Sequence, residues 1–422
     1  MQKKYTIQPK IATVRLGIFL LLLVTLMDNT VYALSVRTGL LLVAAGGVLT
    51  FLRVGKYALK PDRFQAVFLL CFLFIIINNY ELRMQNFTYA LTFAVLTIIV
   101  FSAARTADIW YNLFFIAVLV CGIICSIATY LFYFLPDLYT STILPIVDNV
   151  YYNSLVYCFR LGYQPGIAVH YSSNGMYLAL FSGCAFSLYV TQRNHKMHYA
   201  FFTVIALVSL FLTAKRAHVL FGLAAMLVVY YMANADRKST RLFNTMAIVV
   251  AALVLFVIIG QYIPSISGVI DRFIESQESG NLLNNRSTLY LYAIALFYQN
   301  PLFGTGWGGY KYLRESLFGD YNNAHNVFLQ LLAETGVFGT LLFITLFIIM
   351  LVMVTRRFHY VSTHRHYFTF AQYRVCAFAV YMQVFFLLYC MTGNPLYDRL
   401  IWVPTILSAV ASCYIGRYYV EG

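Results

Sequence analysis

The 422-residue sequence contains little charge. Only 10% of its residues are Asp, Glu, Lys or Arg, whereas an ordinary soluble domain has about 25%. Hydrophobic residues make up 61% of the chain, and its mean hydropathy is +0.74. Although a chain of this length could hold several soluble domains, apolar runs fill it almost from end to end. The composition therefore predicts a single integral membrane domain at residues 1–422.

Acidic residues are the rarer charged class, with 15 against 29 basic residues and a net charge of +14. No nucleic-acid partner is expected, because the basic residues lie in short loops and form no long basic tract or nucleic-acid motif. The eight cysteines are scattered and show neither a disulfide framework nor a metal-binding spacing. The first apolar run lacks a small-residue cleavage pattern, so it is interpreted as an uncleaved helix.

Apolar runs near the length that crosses a bilayer, about 20 residues, recur along the chain. They predict an all-α polytopic membrane protein with about 12 transmembrane helices, at 13–31, 38–52, 64–80, 87–104, 109–135, 166–190, 198–213, 217–233, 245–263, 326–354, 373–391 and 397–417. Most basic residues fall in alternate loops, so the positive-inside rule predicts that both termini lie in the cytoplasm.

Two predicted outer loops are long, at about 136–165 and 264–325. Long loops in compact proteins tend to be functional. In the second loop, RSTLYLYAIALFYQN has apolar residues at helical spacing but is too short to span, which predicts a short interfacial helix. The following GTGWGGY is expected to be a flexible turn, with Trp307 and Tyr310 as interfacial anchors. Its GxGxxG has no strand before it, so nucleotide binding is not indicated.

Two sites in this sequence present cations to the predicted outer side, against the positive-inside rule. Lys215 and Arg216 lie between two apolar runs with almost no loop. They predict a phosphate pocket, because arginine offers a planar fork of donors; snorkelling to lipid headgroups is the alternative. Arg286 opens the interfacial helix, where it is expected to hold the other side of a diphosphate, unless it is a surface arginine.

A histidine stands directly before the predicted tenth span. The positive end of the helix dipole is expected to keep the His325 imidazole neutral, and a neutral ring can accept a proton from a sugar hydroxyl. A cap or an interface residue is the alternative. Asn326, Gln330 and Glu334 are four residues apart and form a polar stripe that should face a cavity or a partner helix.

Further polar residues are candidates for the same outer site. His170 and Asn174 either line the cavity or pack between helices. Arg160 is another outer cation. In the last outer turn, Asp398 and Arg399 form either a local ion pair or a glycan contact.

The arginine-led helix, PLFGTGWGGY and AHNVFLQLLAETGVFG at 286–339 together resemble the signature region of the bacterial O-antigen ligase and O-antigen polymerase superfamily. LTAKRA at 212–217 is similar to the family's threonine-and-arginine turn, and GIAVHYSSNGMYLAL at 166–180 is similar to its preceding helix. The specific part is HN-x-x-LQ-x-x-AE-x-G. Lys215 departs from the family, since a small residue is common there.

The resemblance implies a membrane glycosyltransferase that uses no metal or other cofactor and acts on the outer face of the bacterial cytoplasmic membrane. Its implied partners are an undecaprenyl-diphosphate-linked glycan donor, a glycan acceptor, membrane lipids and, as a candidate, a chain-length regulator. Carried onto this sequence, Arg216 and Arg286 would bind the diphosphate, and His325 would activate the acceptor hydroxyl. The candidate substrate-binding residues are Lys215, Arg160, His170, Asn174, Trp307, Tyr310, Asn326, Gln330 and Glu334.

Three functions remain open at this point. The first is a surface-polysaccharide polymerase that transfers the growing glycan to another lipid-linked repeat. The second is a ligase that transfers it to lipid A-core, a wall component or a protein. The third is a transporter of polysaccharide or lipid-linked glycan, against which stands the lack of an internal repeat or of paired Gly/Pro interruptions.

Overall fold

The computed structural model describes residues 9–31, 61–81, 84–192, 196–233 and 286–414. Within these ranges the fold is helical, with two isolated bridges and no strand, which confirms the predicted all-α class for this part of the chain. The predicted spans at 38–52 and 245–263 lie outside the described residues.

The helices are α1 (Pro9–Leu26), α2 (Arg63–Ile77), α3 (Met84–Phe134), α4 (Pro136–Thr142), α5 (Asn149–Arg160), α6 (Tyr171–Thr191), α7 (Lys196–Leu212), α8 (Arg216–Ala233), α9 (Ser287–Gln299), α10 (Gly309–Phe318), α11 (Val327–Thr363), α12 (Phe370–Cys390) and α13 (Arg399–Tyr414). Short 3₁₀ turns lie at Leu144–Ile146 and Arg365–Tyr367.

Five helical stretches among the described residues are long and apolar enough to cross a membrane: Asn86–Ala103, Thr106–Phe134, Arg216–Ala233, Val327–Thr363 and Phe370–Cys390. The first two lie in α3 and correspond to the separate spans predicted at 87–104 and 109–135. Four shorter apolar helices accompany them, at Arg15–Leu26, Arg63–Ile77, Lys196–Leu212 and Arg399–Tyr414. The predicted count of about 12 spans is not confirmed by this set.

Helices α6, α12 and α13 form the most deeply buried part of the bundle. The Tyr381 hydroxyl of α12 donates to the Ala179 carbonyl of α6 at 2.8 Å. Gly183 lies so close to the Tyr381 ring that any β-carbon there would collide with it. This close helix packing, which small residues permit in membrane bundles, gives the bundle a rigid centre.

The short helix predicted in the second long loop is present as α9, and Leu289, Ala293 and Leu296 on its predicted apolar face are buried. The GTGWGGY segment after it differs from the prediction, because it is docked and not a flexible turn. The Trp307 backbone N–H donates to the Asn78 carbonyl at 2.6 Å. Its ring is fully buried and stacks on Tyr397 at 4.7 Å between centroids. Trp307 is therefore a core residue and not an interfacial anchor.

Gly336 allows this docking. It interrupts α11 with a φ of 61°, a left-handed conformation that side chains disfavour. A β-carbon there would collide with the Leu302 backbone. At the interruption, the Val337 N–H donates to the Pro301 carbonyl at 2.9 Å. The loop after α9 is thus held against the first turns of α11.

Candidate functional site

A cleft of about 420 Å³ opens where the ends of α1, α3, α12 and α13 meet the start of α11. His325 is the one residue predicted as catalytic that lines it. The remaining lining residues are carboxylates, amides, tyrosines, a threonine and an arginine: Asp28, Asn29, Thr88, Tyr89, Asn323, Tyr389, Asn394, Tyr397, Asp398 and Arg399.

His325 has a left-handed backbone, with a φ of 54°. That conformation costs a non-glycine residue roughly 1–2 kcal/mol and persists only where the surroundings enforce it. On one side, the Asn326 side chain caps α11 by accepting from the Phe328 and Leu329 N–H groups at 3.0 and 3.1 Å. On the other side, the Ala324 N–H donates to the Gln330 side chain at 3.1 Å. Both neighbours of His325 are therefore fixed by helix α11.

The electrostatic environment keeps the His325 ring neutral. The pKa of His325 is lowered from 6.5 to about 4, chiefly by burial and then by the positive charges of Arg286, Lys215 and Lys311, in that order. The direction agrees with the expectation from the helix dipole, but burial and nearby cations are the cause. A neutral imidazole can accept a proton from a hydroxyl group.

Arg286 directly precedes α9, and its guanidinium is anchored at the end of α12. Its Nη1 donates to the Thr392 carbonyl at 2.8 Å, where the negative end of the helix dipole favours a cation. The Asn326 side-chain amide donates to the neighbouring Met391 carbonyl at 3.3 Å. The loop after α12 therefore holds both Arg286 and the start of α11, which explains why Arg286 acts on the pKa of His325.

Lys215 and Arg216 follow a second left-handed residue, Ala214, with a φ of 55°. The Lys215 ammonium lies 4.8 Å from the centre of the Tyr171 ring, at the start of α6. Gly175 on α6 permits this packing, since a β-carbon there would lie 3.1 Å from Thr213 Oγ1 and 3.2 Å from Lys215 Cβ. Arg216 is the first residue of α8 and is half-buried. The structure thus brings Lys215 within the electrostatic reach of His325.

Residues 201–344 match a family model described as O-antigen ligase. This match supports, for that segment, the expected similarity to the O-antigen ligase and polymerase superfamily. The matched segment is about a third of the chain and contains both cationic turns and His325. A search of curated proteins finds no match. Together with the apolar helices, the family indicates an integral membrane protein with a glycosyltransferase-like activity.

Gln330 and Glu334 were predicted to contact substrate. Both are buried, and their side chains form hydrogen bonds within the protein. Glu334 accepts from the Gly308 N–H at 2.9 Å, the Tyr310 N–H at 3.2 Å, the Gln330 amide at 3.1 Å and the Tyr397 hydroxyl at 2.6 Å. Glu334, the last residue of the predicted polar stripe, therefore faces the docked GTGWGGY segment and joins it to Tyr397 in the cleft.

The remaining predicted binding residues do not line the cleft. His170 caps α6, because its Nδ1 accepts from the Ser172 N–H at 3.1 Å. Asn174 is fully buried and donates to Thr129 Oγ1 and to the Gln164 carbonyl, each at 2.9 Å. Tyr310 is fully buried and donates to the Leu289 carbonyl at 2.8 Å. Arg160 is exposed at the end of α5.

Four charged residues near the site either had no predicted role or have partners that the sequence did not suggest. Asp28 was not singled out in the sequence, although an aspartate at the end of an apolar run indicates a candidate functional residue. It forms an ion pair with Arg399 at 2.8 Å. From the sequence, Arg399 was expected either to pair with its neighbour Asp398 or to contact the glycan. Asp398 instead caps α13 by accepting from the Leu400 N–H at 2.9 Å. Lys311 was also missed; it contributes to the lowered pKa of His325.

Proposed function

We propose that this protein is a polysaccharide polymerase. It transfers a growing glycan from undecaprenyl diphosphate to the terminal sugar of another lipid-linked repeat, on the outer face of the cytoplasmic membrane. The observation that carries the proposal is the neutral His325 in a polar cleft with Arg286, Lys215 and Lys311 close enough to lower its pKa. The O-antigen ligase family supports glycan transfer in general.

The reaction is a substitution at the anomeric carbon of the donor sugar. The acceptor hydroxyl forms the new C–O bond while the bond from that carbon to the diphosphate oxygen breaks. His325 takes the hydroxyl proton, and the electron pair of the broken bond leaves with the diphosphate. Arg216, Arg286 and Lys215 stabilise the charge that gathers on the leaving group, because preorganised cations in a water-poor site stabilise developing charge strongly.

A ligase is the second candidate, and the description of the matched family favours it. A ligase uses the same donor and the same departure of the diphosphate, and it differs only in the acceptor. The chemistry assigned to His325 and to the cations is therefore common to both functions, and the fate of the polymer separates them.

The test replaces His325 with asparagine in the producing host. Asparagine tolerates the left-handed backbone better than most residues, so the variant should accumulate normally while transfer falls about 10²- to 10⁴-fold. His366 is exposed and does not line the cleft, so His366→Asn is the matched control.

Loss of long chains, with single repeats still reaching the surface, supports the polymerase. Full-length polymer left on the lipid carrier indicates a ligase, and normal surface polymer contradicts both. Elongation of lipid-linked repeats by the purified protein in detergent, without any gradient, excludes the transporter.

A further inference from the structure

The charged residues that line the cleft differ from the cations that surround His325. Asp28 and Asp398 line it together with one guanidinium, that of Arg399. The cations that lower the pKa of His325 are Arg286, Lys215 and Lys311, and none of these three lines the cleft. Like charges repel strongly where water is scarce, so the two carboxylates disfavour a diphosphate on their side. The donor phosphates and the cleft ligand are thus separated by charge.

The groups on the carboxylate side suit a sugar. Tyr89, Tyr389 and Tyr397 contribute aromatic side chains to the lining, and Asn29 and Asn394 contribute amides. A pocket of about 420 Å³ lies within the range of small-ligand sites, roughly 300–1,000 Å³, in which a few polar groups among aromatic side chains fix the ligand's orientation.

Among the residues that the structure describes, two buried polar atoms of this lining have no hydrogen-bond partner. Arg399 is fixed by its Nη2, which pairs with Asp28, while its Nη1 is buried without a hydrogen-bond partner. The Asn394 Oδ1 is likewise buried and unpartnered. Buried polar atoms without partners are rare and cost about 1–3 kcal/mol each. One is a donor and the other an acceptor, and adjacent sugar hydroxyls can both accept and donate.

We propose that Asp28, Asn394, Asp398 and Arg399 form the subsite for the acceptor sugar, and that this sugar carries neither a carboxylate nor a phosphate. This inference rests on the proposed function, since it assigns the acceptor of that reaction. The acceptor ring then lies against the tyrosines with its hydroxyl toward His325, and the donor diphosphate lies on the side of Arg286 and Lys215. The acceptor hydroxyl is thereby placed beside its base, while the leaving diphosphate is kept away from the two carboxylates.

The test is Arg399→Lys in the purified full-length protein. Lysine keeps the ion pair with Asp28 but has no counterpart of Nη1, the second terminal nitrogen of the guanidinium. The donor is lipid-linked repeat extracted from the host, and the acceptor probe is repeat oligosaccharide released from the host's own polysaccharide. We expect the KM for the oligosaccharide to rise about 10-fold or more, from the loss of one charge-assisted hydrogen bond, with little change in kcat or in the KM for the donor.

The matched control is Arg314→Lys, because Arg314 forms a comparable ion pair with Asp320 at 2.9 Å outside the cleft. An unchanged acceptor KM in Arg399→Lys overturns the inference while the proposed function stands. If the wild-type protein transfers nothing to the oligosaccharide or to a second lipid-linked repeat, the proposed function itself fails. If Arg399→Lys does not accumulate, the acceptor KM of Asn394→Ala is measured in the same way, and an unchanged value overturns the inference.

Sugar analysis gives an independent test. The terminal sugar of the host's repeat unit should be neutral or amino-bearing, because the subsite carries two carboxylates against one guanidinium. A uronic acid or a phosphorylated sugar at that terminus overturns the inference, whatever the kinetics of the variants.

Discussion

The lowered pKa of His325 leads to a prediction about the pH dependence of glycan transfer. If His325 accepts the proton, the rate follows the fraction of neutral imidazole. With a pKa of about 4, about 90% of the rings are neutral at pH 5, whereas a histidine with an ordinary pKa near 6.5 would be only about 3% neutral. We therefore expect the rate at pH 5 to remain close to the rate at pH 7.5, in place of a roughly 30-fold drop.

The assay measures initial rates of elongation between pH 4 and pH 8, with purified protein and extracted lipid-linked repeats. Because the pKa of His325 is depressed in the folded protein, the unfolded chain binds more protons between about pH 6.5 and pH 4, so folding stability falls as the pH falls through that window. Samples returned to pH 7.5 must regain full activity before a lost rate is attributed to protonation. An acidic limb centred near pH 6.5 would refute the reasoning.

Lys311→Gln tests the cause of the shift. Removing this cation should move the acidic limb of the pH–rate profile upward, because a nearby positive charge disfavours imidazolium. The limb should stay below pH 6.5, since burial is the larger cause and remains. Lys196→Gln, an exposed residue at the start of α7, is the matched control and should leave the profile unchanged.

Two further predictions concern stability. Ala214→Gly should raise the stability of the purified protein by roughly 1 kcal/mol, measured by thermal unfolding in detergent, because glycine adopts the left-handed φ of 55° without strain; an unchanged or lower stability would contradict this. Glu334→Gln should lower stability by about 3 kcal/mol in the same measurement, because an amide cannot accept from all four donors around that carboxylate. Glu315→Gln on the exposed side of α10 should change little, and equal effects of the two glutamate variants would argue against the network.

Local patterns in the sequence predicted the parts of this site that depend on neighbouring residues. The apolar spacing of α9 is local, and so is the helix start after His325, where Asn326 caps α11. Arg216 and Arg286 were predicted as cations on the outer side, against the positive-inside rule, and the family resemblance gave both the same role. Each of these features can be recognised within one helix or one turn, and the structure has a helix beginning at or beside each of them.

Pairings between residues that are distant in the chain could not be recognised in this way. Asp28 and Arg399 meet from opposite ends of the chain, and no spacing in the sequence links them. Glu334 was expected to face a cavity or a partner helix because its stripe is polar, but two of its partners are the backbone N–H groups of Gly308 and Tyr310. Since every residue except proline carries such a donor, the sequence cannot indicate which ones a buried carboxylate will bind.

Two of the residues with a left-handed backbone, Ala214 and His325, show how the buried bundle sets the geometry of the site. Ala214 directly precedes the cations at the start of α8, and His325 stands before α11. Each strained turn is held by buried contacts. Ala214 follows Thr213, which packs near Gly175, and His325 follows Ala324, whose N–H donates to the Gln330 side chain. Strain of this kind persists only where the surrounding structure enforces it, so the positions of base and cations depend on the buried network more than on the loops themselves. A substitution in that network should therefore alter transfer even when every residue that touches the glycan is unchanged.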